Sequence, residues 1–516
     1  MRSITQPILA PTNILSRLVT DFSNPPDWVS DAVFYQIFPD RFSVSDRVPK
    51  PGPMEPWDSP ATTYGFKGGD LLGIVEHLDY LAGLGVNALY LTPVFASASN
   101  HRYHTYDYYT VDPLLGGNDA LRELLDACHA RGMRVVLDGV FNHSGRGFWP
   151  FHHVLETGAS SPYVDWFFID RAALAAGKEL RPYPGPNERR PLGYGAWWNL
   201  PALPKLNTNN PGMREHLMGA VEHWLRFGID GWRLDVAEEI DAGFWREFRQ
   251  RVRAINPDAY IVAEIWSEKP EWVRGDTFDA LMNYPLTEAL LSFTAARTLD
   301  MPLVKRHNEY SHTVQPNDGE EFARRLDHVV NMYRPEAIRA QLNLLGSHDT
   351  PRYVTVAGGD VEAYRLGLLA VMTLPGAPCI YYGDEVGVVG SLDPDNRRSF
   401  PWDESRWNRS LLDLARCLGS LRAAHDVLRH GDFHVLAAGR DTVAYAMLRD
   451  AHHGVVVALN TGTTAASLSF AVGSESLEPV ALPGWDLPVV ERSGGNVSLR
   501  VPGRGGAFIV VDGAGS

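Results

Sequence analysis

Short apolar runs alternate with amphipathic stretches along this chain between residue 31 and about residue 425. The helical pattern is clear in residues 71–84, where Leu and Val recur at three- and four-residue intervals before Gly85. Strands that alternate with helices predict an α/β fold, and eight such runs favour a (β/α)8 barrel, although a doubly wound sheet has the same alternation. The predicted strands are 33–38, 88–94, 134–140, 229–236, 260–265, 280–284, 341–345 and 378–382.

Two regions depart from this alternation. Residues 141–211 are rich in Pro, Gly and aromatic residues, and long connections of this kind are usually functional, so we predict a subdomain inserted after the third strand. After residue 425, short β-branched runs separated by Gly, Asp and Ser predict a C-terminal antiparallel β-sandwich. The predicted division is an N-terminal arm (1–28), a barrel (29–141 and 207–425), an inserted domain (142–206) and a sandwich (426–516).

Composition narrows the classes of function. The 516 residues include 47 basic and 62 acidic side chains, and a net charge of −15 without a basic cluster argues against nucleic-acid binding. Three scattered cysteines do not make a disulfide framework or a zinc site. No run of 18 apolar residues predicts a membrane span, and residues 1–28 lack the apolar core of a signal peptide. A cytoplasmic enzyme is therefore expected.

Carboxylates recur at the ends of four predicted strands, at Asp138, Asp235, Glu264 and Asp349. A single Asp after a strand is most often a turn former or a helix cap, and the Arg233–Asp235 pair alone is equally consistent with a structural ion pair. Active sites of (β/α)8 barrels lie at the carboxyl ends of the strands, so the recurrence favours one site. Carboxylates with Arg, His and aromatic neighbours suit glycosidic bond cleavage, which needs a proton donor and a second carboxylate.

Four motifs carry a resemblance: DGVFNH at 138–143, GWRLDVAEE at 231–239, EIW at 264–266 and GSHD at 346–349. Together they resemble the α-amylase family (glycoside hydrolase family 13), over roughly residues 33–403. LPKLN at 203–207 resembles the MPKLN signature of the neopullulanase, cyclomaltodextrinase and maltogenic amylase subgroup. The resemblance implies that Asp235 is the nucleophile, Glu264 the general acid/base and Asp349 the transition-state stabiliser. The residues that it implies for substrate binding are Tyr103, His101, His143, Arg233, His348, Trp266, Glu239, Asp393 and Arg397.

The resemblance also implies that Arg233 keeps Asp235 ionised, because a nearby cation lowers a carboxylate pKa. Departures from the subgroup modify other expectations. Glu238 stands where the subgroup usually has Asn, which affects acceptor preference. Because the first strand begins near residue 33, we expect the subgroup's N-terminal dimerisation domain to be missing and the protein to be a monomer. Only Asp46 and Asp70 are recognisable in the calcium loop, so no tightly bound calcium, metal or cofactor is expected.

The expected function is a retaining hydrolase of α-1,4-glucosidic bonds in maltooligosaccharides, cyclodextrins and starch, with maltose as the main product. The alternative is a 4-α-glucanotransferase, in which a sugar instead of water attacks the same intermediate. Cleavage directed at α-1,6 bonds or trehalose is a third option, which the 203–207 signature disfavours. A non-catalytic relative would be expected to lack at least one of the three carboxylates, and all three are present.

Overall fold

The computed structural model describes residues 22–185, 188–450, 452–473, 476–493 and 496–512, so most of the predicted N-terminal arm lies outside the described residues. Its strands are β1 (Phe34–Ile37), β2 (Ala88–Leu91), β3 (Phe95–Ser97), β4 (Thr105–Val111), β5 (Arg134–Gly139), β6 (Gly231–Leu234), β7 (Tyr260–Ala263), β8 (Ala280–Leu281), β9 (Leu342–Leu344), β10 (Ala377–Tyr381), β11 (Asp432–Gly439), β12 (Thr442–Leu448), β13 (Gly454–Asn460), β14 (Ala466–Ala471), β15 (Ser476–Val480), β16 (Val489–Ser493), β17 (Asn496–Val501) and β18 (Gly505–Asp512).

Eight parallel strands form the barrel, in the order β8-β7-β6-β5-β2-β1-β10-β9. A parallel bridge between Met282 and Leu342 joins the two outer strands and nearly closes the sheet. The strands are buried on both faces, as expected where helices cover the outside of a barrel. Inside, side chains such as Phe34, Tyr90 and Val262 form one apolar cluster. The predicted barrel and all of its strands are confirmed.

The helices are α1 (Pro39–Phe42), α2 (Leu71–Val75), α3 (Leu78–Ala82), α4 (Gly117–His129), α5 (Trp149–Thr157), α6 (Arg171–Ala175), α7 (Pro211–Phe227), α8 (Ala242–Ile255), α9 (Tyr284–Thr294), α10 (Met301–Val304), α11 (Tyr310–Thr313), α12 (Gly319–Asn331), α13 (Pro335–Ala340), α14 (Tyr353–Val356), α15 (Val361–Thr373), α16 (Arg409–Ala424) and α17 (Val427–His430). Local sequence fixes their ends: Asn210 caps α7 ahead of Pro211, and Gly228, at φ 108°, ends it just before β6. Among the described residues, no helix is long and apolar enough to cross a membrane.

Between β5 and α7 the chain leaves the barrel and forms only short elements, α5 and α6 among them. Bridges His143–Lys205 and Phe167–Leu206 join the beginning and the end of this excursion. The antiparallel pair β3–β4, which follows β2, was not predicted from the sequence. The boundaries 28, 141, 206 and 425 stay predictions.

The C-terminal region consists of two antiparallel sheets, β11-β12-β13-β18-β15 and β14-β17-β16. Val456, Leu468, Leu499 and Ile509 share one buried cluster with side chains of both sheets, so the predicted sandwich is confirmed. Strands β15 and β16 were not predicted. Both are edge strands, and β15 has no buried position and contains Pro479, so neither has the apolar alternation of a central strand.

Candidate active site

The three predicted catalytic carboxylates and Asp138 lie at one end of the barrel. Asp138 is within the end of β5, Asp235 directly follows β6, Glu264 directly follows β7, and Asp349 lies five residues after β9. Because the strands are parallel, their carboxyl ends lie at the same end of the barrel, and the side chains of these residues are brought together there.

Arg233 is the centre of this arrangement. Its side chain is fully buried and lies on the same face of β6 as Asp235, two residues on. Nη1 donates to Asp138 Oδ1 at 2.9 Å and to Asp235 Oδ1 at 3.0 Å, and Nη2 lies 3.0 Å from Glu264 Oε2. We call Asp138, Arg233, Asp235 and Glu264 the floor. Three carboxylates share one guanidinium there, so the floor carries excess negative charge.

Burial raises the pKa of Asp235; Arg233 opposes the rise, and the neighbouring charges of Glu264 and Asp138 add to it. Burial likewise raises the pKa of Asp138. Arg233 lowers the pKa of Asp235, as the resemblance implies, but burial and the neighbouring carboxylates act in the opposite direction.

Two N–H groups hold Glu264. The backbone N–H of Val236 donates to Oε2 at 3.1 Å, and Trp266 Nε1–H donates to Oε1 at 3.0 Å. Val236 has φ 46°, a left-handed conformation that a β-branched residue adopts at a cost of about 1–2 kcal/mol. The Trp266 ring in turn stacks on Tyr284 at 3.6 Å and 8°. The hydrogen bonds from Val236 and Trp266 together fix the carboxyl group of Glu264.

The opposite side of the site is built on His348 and Asp349. The Gln36 amide lies 2.8 Å from His348 Nδ1 and donates to it, which leaves the ring proton on Nε2, 3.0 Å from Asp349 Oδ2. Arg397 donates to the His348 carbonyl at 2.9 Å and to Asp349 Oδ1 at 3.4 Å, and pairs with the exposed Asp393 at 3.0 Å. Burial raises the pKa of Asp349, but His348 and Arg397 outweigh it, so the pKa lies below its ordinary value.

Tyr103 joins the two sides. Its hydroxyl donates to Asp138 Oδ2 at 2.8 Å and lies 2.6 Å from His348 Nε2, with the two rings nearly parallel at 5.3 Å. The backbone N–H of Tyr103 donates to His101 Nδ1 at 3.2 Å. Desolvation lowers the pKa of His101, so this ring is neutral.

A second group, which we call the rim, consists of the predicted residues His143 and Glu239 together with Trp197 and Lys205, which were not predicted as site residues. His143 stacks on Trp197 at 4.9 Å, and burial lowers its pKa to about 3, so it too is neutral. Glu239 accepts from Trp197 Nε1–H at 3.1 Å and from Lys205 Nζ at 2.6 Å. Lys205, which belongs to the LPKLN segment, thus holds the carboxylate of Glu239, four residues after Asp235.

Sequence reasoning missed several contacts of the site. Gln36 is a polar residue inside a buried strand, which is a usable signal for function. Tyr90 donates to Asp138 at 2.8 Å, and Tyr284 supports Trp266, but both look like ordinary core residues in the sequence. His307, whose Nε2 lies 3.1 Å from the Asp349 carbonyl oxygen, comes from a connection with no recognisable motif.

The loop that corresponds to the family's calcium site does not fit a calcium ion. Asp70 Oδ1 accepts the N–H of Gly73, and Oδ2 accepts the N–H of Ser45 and the Lys50 ammonium at 2.9 Å. Lys50 Nζ also donates to the Leu114 carbonyl at 2.8 Å, so a fixed cation already uses the oxygens a metal would need. Across the described part of the chain, no group of three or more His, Cys, Asp or Glu side chains is placed to hold a metal.

A (β/α)8 barrel with these motifs at the carboxyl ends of its strands defines a glycoside hydrolase. Residues 36–410 match the alpha amylase catalytic domain, and the chain belongs to the α-amylase family.

Similar proteins of known name indicate which members of this family the chain resembles. A cyclomaltodextrinase from Geobacillus thermopakistaniensis is 44% identical, over 87% of this chain and 72% of that protein. A maltogenic alpha-amylase from Bacillus acidopullulyticus is 42% identical, over 79% of this chain and 65% of that protein. Among solved structures, a debranching enzyme from Nostoc punctiforme matches with a TM-score of 0.83 and 44% identity, over 95% of this chain and 99% of that one.

Proposed function

We propose that this protein is a retaining hydrolase of α-1,4-glucosidic bonds in maltooligosaccharides, cyclodextrins and starch, with maltose as the main product. The observation that carries the proposal is the floor: Asp235 and Glu264 both lie 3.0 Å from the same guanidinium. This keeps their carboxyl groups close together, as a double displacement through a covalent intermediate requires. The named relatives support the substrate class.

In the first half of the proposed reaction, the Asp235 carboxylate attacks the anomeric carbon while the bond to the leaving oxygen breaks. Glu264 gives its proton to that oxygen. In the second half Glu264 takes a proton from water, the water oxygen attacks the anomeric carbon, and Asp235 is released.

Two alternatives keep the same intermediate. In a 4-α-glucanotransferase, a sugar hydroxyl replaces water in the second half. The debranching enzyme of Nostoc punctiforme favours a further option, cleavage of α-1,6 bonds, which the LPKLN segment disfavours. The monomeric state and the cytoplasmic location stay predictions.

A product profile tests the proposal. Equal masses of maltotriose, β-cyclodextrin, soluble starch and pullulan are incubated with the enzyme, with Asp235→Asn as the control. Maltose from starch and cyclodextrin, absent in the control, is the expected result. In the maltotriose incubation, products longer than the starting sugar would establish the transferase. Maltotriose from pullulan would establish α-1,6 cleavage.

We further propose that the Lys50 ammonium makes the loop after β1 independent of calcium. Excess EDTA should leave the melting temperature unchanged. Lys50→Met should lower it by the equivalent of about 1–3 kcal/mol, because Asp70 stays buried without its cation. The exposed Lys305→Met is the matched control. A melting temperature that drops in EDTA for the unmodified protein would contradict the proposal.

A further inference from the structure

Between α9 and α12, residues 301–314 form the two short helices α10 and α11 and carry His307 between them. The segment is anchored in the core through Val304 and Tyr310, which are buried. The backbone N–H of His307 donates to the Val304 carbonyl at 3.2 Å, and its carbonyl accepts the Ser311 N–H at 3.0 Å. The imidazole of His307 is therefore presented from a fixed backbone.

The two ring nitrogens of His307 have different partners, and these partners decide which nitrogen carries the proton. The backbone N–H of Tyr310 can only donate, and it lies 3.2 Å from Nδ1. The Asp349 carbonyl oxygen can only accept, and it lies 3.1 Å from Nε2. Burial lowers the pKa of His307, which favours the neutral ring. Its Nδ1 atom therefore accepts, and its Nε2–H donates to Asp349.

Three successive carbonyl groups around Asp349 are held from two different elements. The Asn396 amide, from the segment after β10, donates to the carbonyls of His348 at 2.7 Å and of Thr350 at 2.9 Å. His307, from the segment 301–314, donates to the Asp349 carbonyl between them. The peptide groups on both sides of Asp349 are thus restrained, and they set the direction in which its carboxylate leaves the backbone.

The side-chain contacts of Asp349 make this backbone support important. His348 Nε2 lies 3.0 Å from Oδ2. Arg397 Nη2 lies 3.4 Å from Oδ1, which is longer than the about 2.7–2.9 Å of a strong charge-assisted hydrogen bond. The orientation of the carboxylate therefore depends on the backbone as well as on these two side chains.

We propose that His307 is a positioning residue, which holds the Asp349 carboxylate in its working direction through the Asp349 carbonyl. The inference rests on the proposed function, in which Asp349 stabilises the transition state. Misplacement of such a group by about 1 Å lowers the rate by as much as about a hundredfold. Because the interaction is made in the transition state, its loss appears in kcat and hardly in KM.

Two amide variants separate the two hydrogen bonds of the ring. In His307→Asn, the side-chain oxygen still accepts the Tyr310 N–H, but the amide nitrogen is too near the backbone to reach the Asp349 carbonyl. In His307→Gln, the longer amide reaches as far as Nε2 and donates there. We expect His307→Asn to lower kcat for maltotriose about ten- to a hundredfold, with KM within about twofold. His307→Gln should keep kcat within about threefold of the unmodified enzyme.

Two further measurements distinguish positioning from a structural role. The exposed His312 on α11 is the matched control, and His312→Asn should leave kcat and KM unchanged. In an Asp349→Asn background, His307→Asn should change the remaining kcat less than about twofold, because the carboxylate that it positions is gone. Nitrophenyl maltoside is the substrate for this pair, since its good leaving group keeps the residual rate measurable.

The outcomes separate this inference from the proposed function. A merely structural His307 would lower the melting temperature of His307→Asn and leave its kcat intact well below that temperature. That result, an equal loss in His307→Gln, or an equal loss in the Asp349→Asn background would each overturn the positioning role and leave the proposed function intact. No release of maltose from starch by the unmodified enzyme would overturn the proposed function and the inference with it.

Discussion

The floor and the rim differ in how strongly their charges are removed from water. Side chains of the floor are between 0% and 11% exposed, whereas Lys205 and Glu239 of the rim are 28% and 36% exposed. In the poorly solvated floor every charge changes the protonation of its neighbours. On the rim, an ion pair as exposed as Lys205–Glu239 stabilises the protein by about 0–1 kcal/mol. We therefore expect substitutions in the floor to affect bond cleavage strongly and substitutions on the rim to affect it weakly.

The largest expected effect separates the two groups directly. Asp235→Asn should lower kcat for maltotriose more than about a thousandfold, because the amide cannot form the covalent intermediate. Glu239→Gln, the matched change on the rim, should lower kcat/KM less than about tenfold. Release of reducing ends measures both, and the melting temperature of each variant should stay close to that of the unmodified protein. A tenth of the activity left in Asp235→Asn would exclude Asp235 as the nucleophile.

A second prediction concerns the pH dependence of the floor. Asp235 must be ionised to attack, so activity is lost as the pH falls through its pKa, which lies above the ordinary value. Asp138→Asn removes a neighbouring charge that raises the pKa of Asp235. It also removes a carboxylate that competes for the Arg233 guanidinium, which can then interact more strongly with Asp235. The acid limb of kcat/KM should therefore move to lower pH, by about one unit.

The control for this profile is Asp393→Asn, whose exposed carboxylate pairs with Arg397 outside the floor. It should leave the position of the acid limb unchanged, even if it raises KM. An acid limb that stays in place in Asp138→Asn would show that the floor carboxylates titrate independently.

The sequence predicted the parts of the fold that depend on local periodicity. Each barrel strand is a short apolar run. Residues 138, 235, 264 and 349 were predicted to lie together because parallel strands end at the same end of the barrel. Helix boundaries were less accurate. Residues 71–84 predicted one helix, but α2 and α3 are separated at His77, whose ring stacks on Trp402 at 3.5 Å. That partner lies more than three hundred positions away, beyond the reach of any local pattern.

The electrostatics of the site could not be read from the sequence either. The spacing of Arg233 and Asp235 predicts that they are neighbours, but not that Asp138 and Glu264 share the same guanidinium. The direction of the Asp235 pKa depends on that sharing. Similarly, Lys50 carries no motif, and its role is visible only from its contacts with Asp70 and the Leu114 carbonyl.

The smallest expected effect lies at the edge of the site. Glu238 is 47% exposed and its carboxylate lies 3.8 Å from the ammonium of Lys269. Glu238→Asn should change the free energy of unfolding by less than about 0.5 kcal/mol and leave maltotriose hydrolysis within about threefold of its original rate. Removal of a strongly hydrated charge should favour a sugar over water as the acceptor, so transfer products should rise about twofold relative to hydrolysis products.

The product ratio is measured by chromatography at high maltotriose concentration, where an acceptor sugar competes with water. Lys269→Gln is the control, because it breaks the same ion pair but keeps the carboxylate. If the charge of Glu238 acts through hydration, transfer rises in Glu238→Asn and not in Lys269→Gln. An equal rise in both variants would mean that the ion pair, and not the charge itself, limits the acceptor. The geometry of the Glu238–Lys269 pair would then control the choice of acceptor.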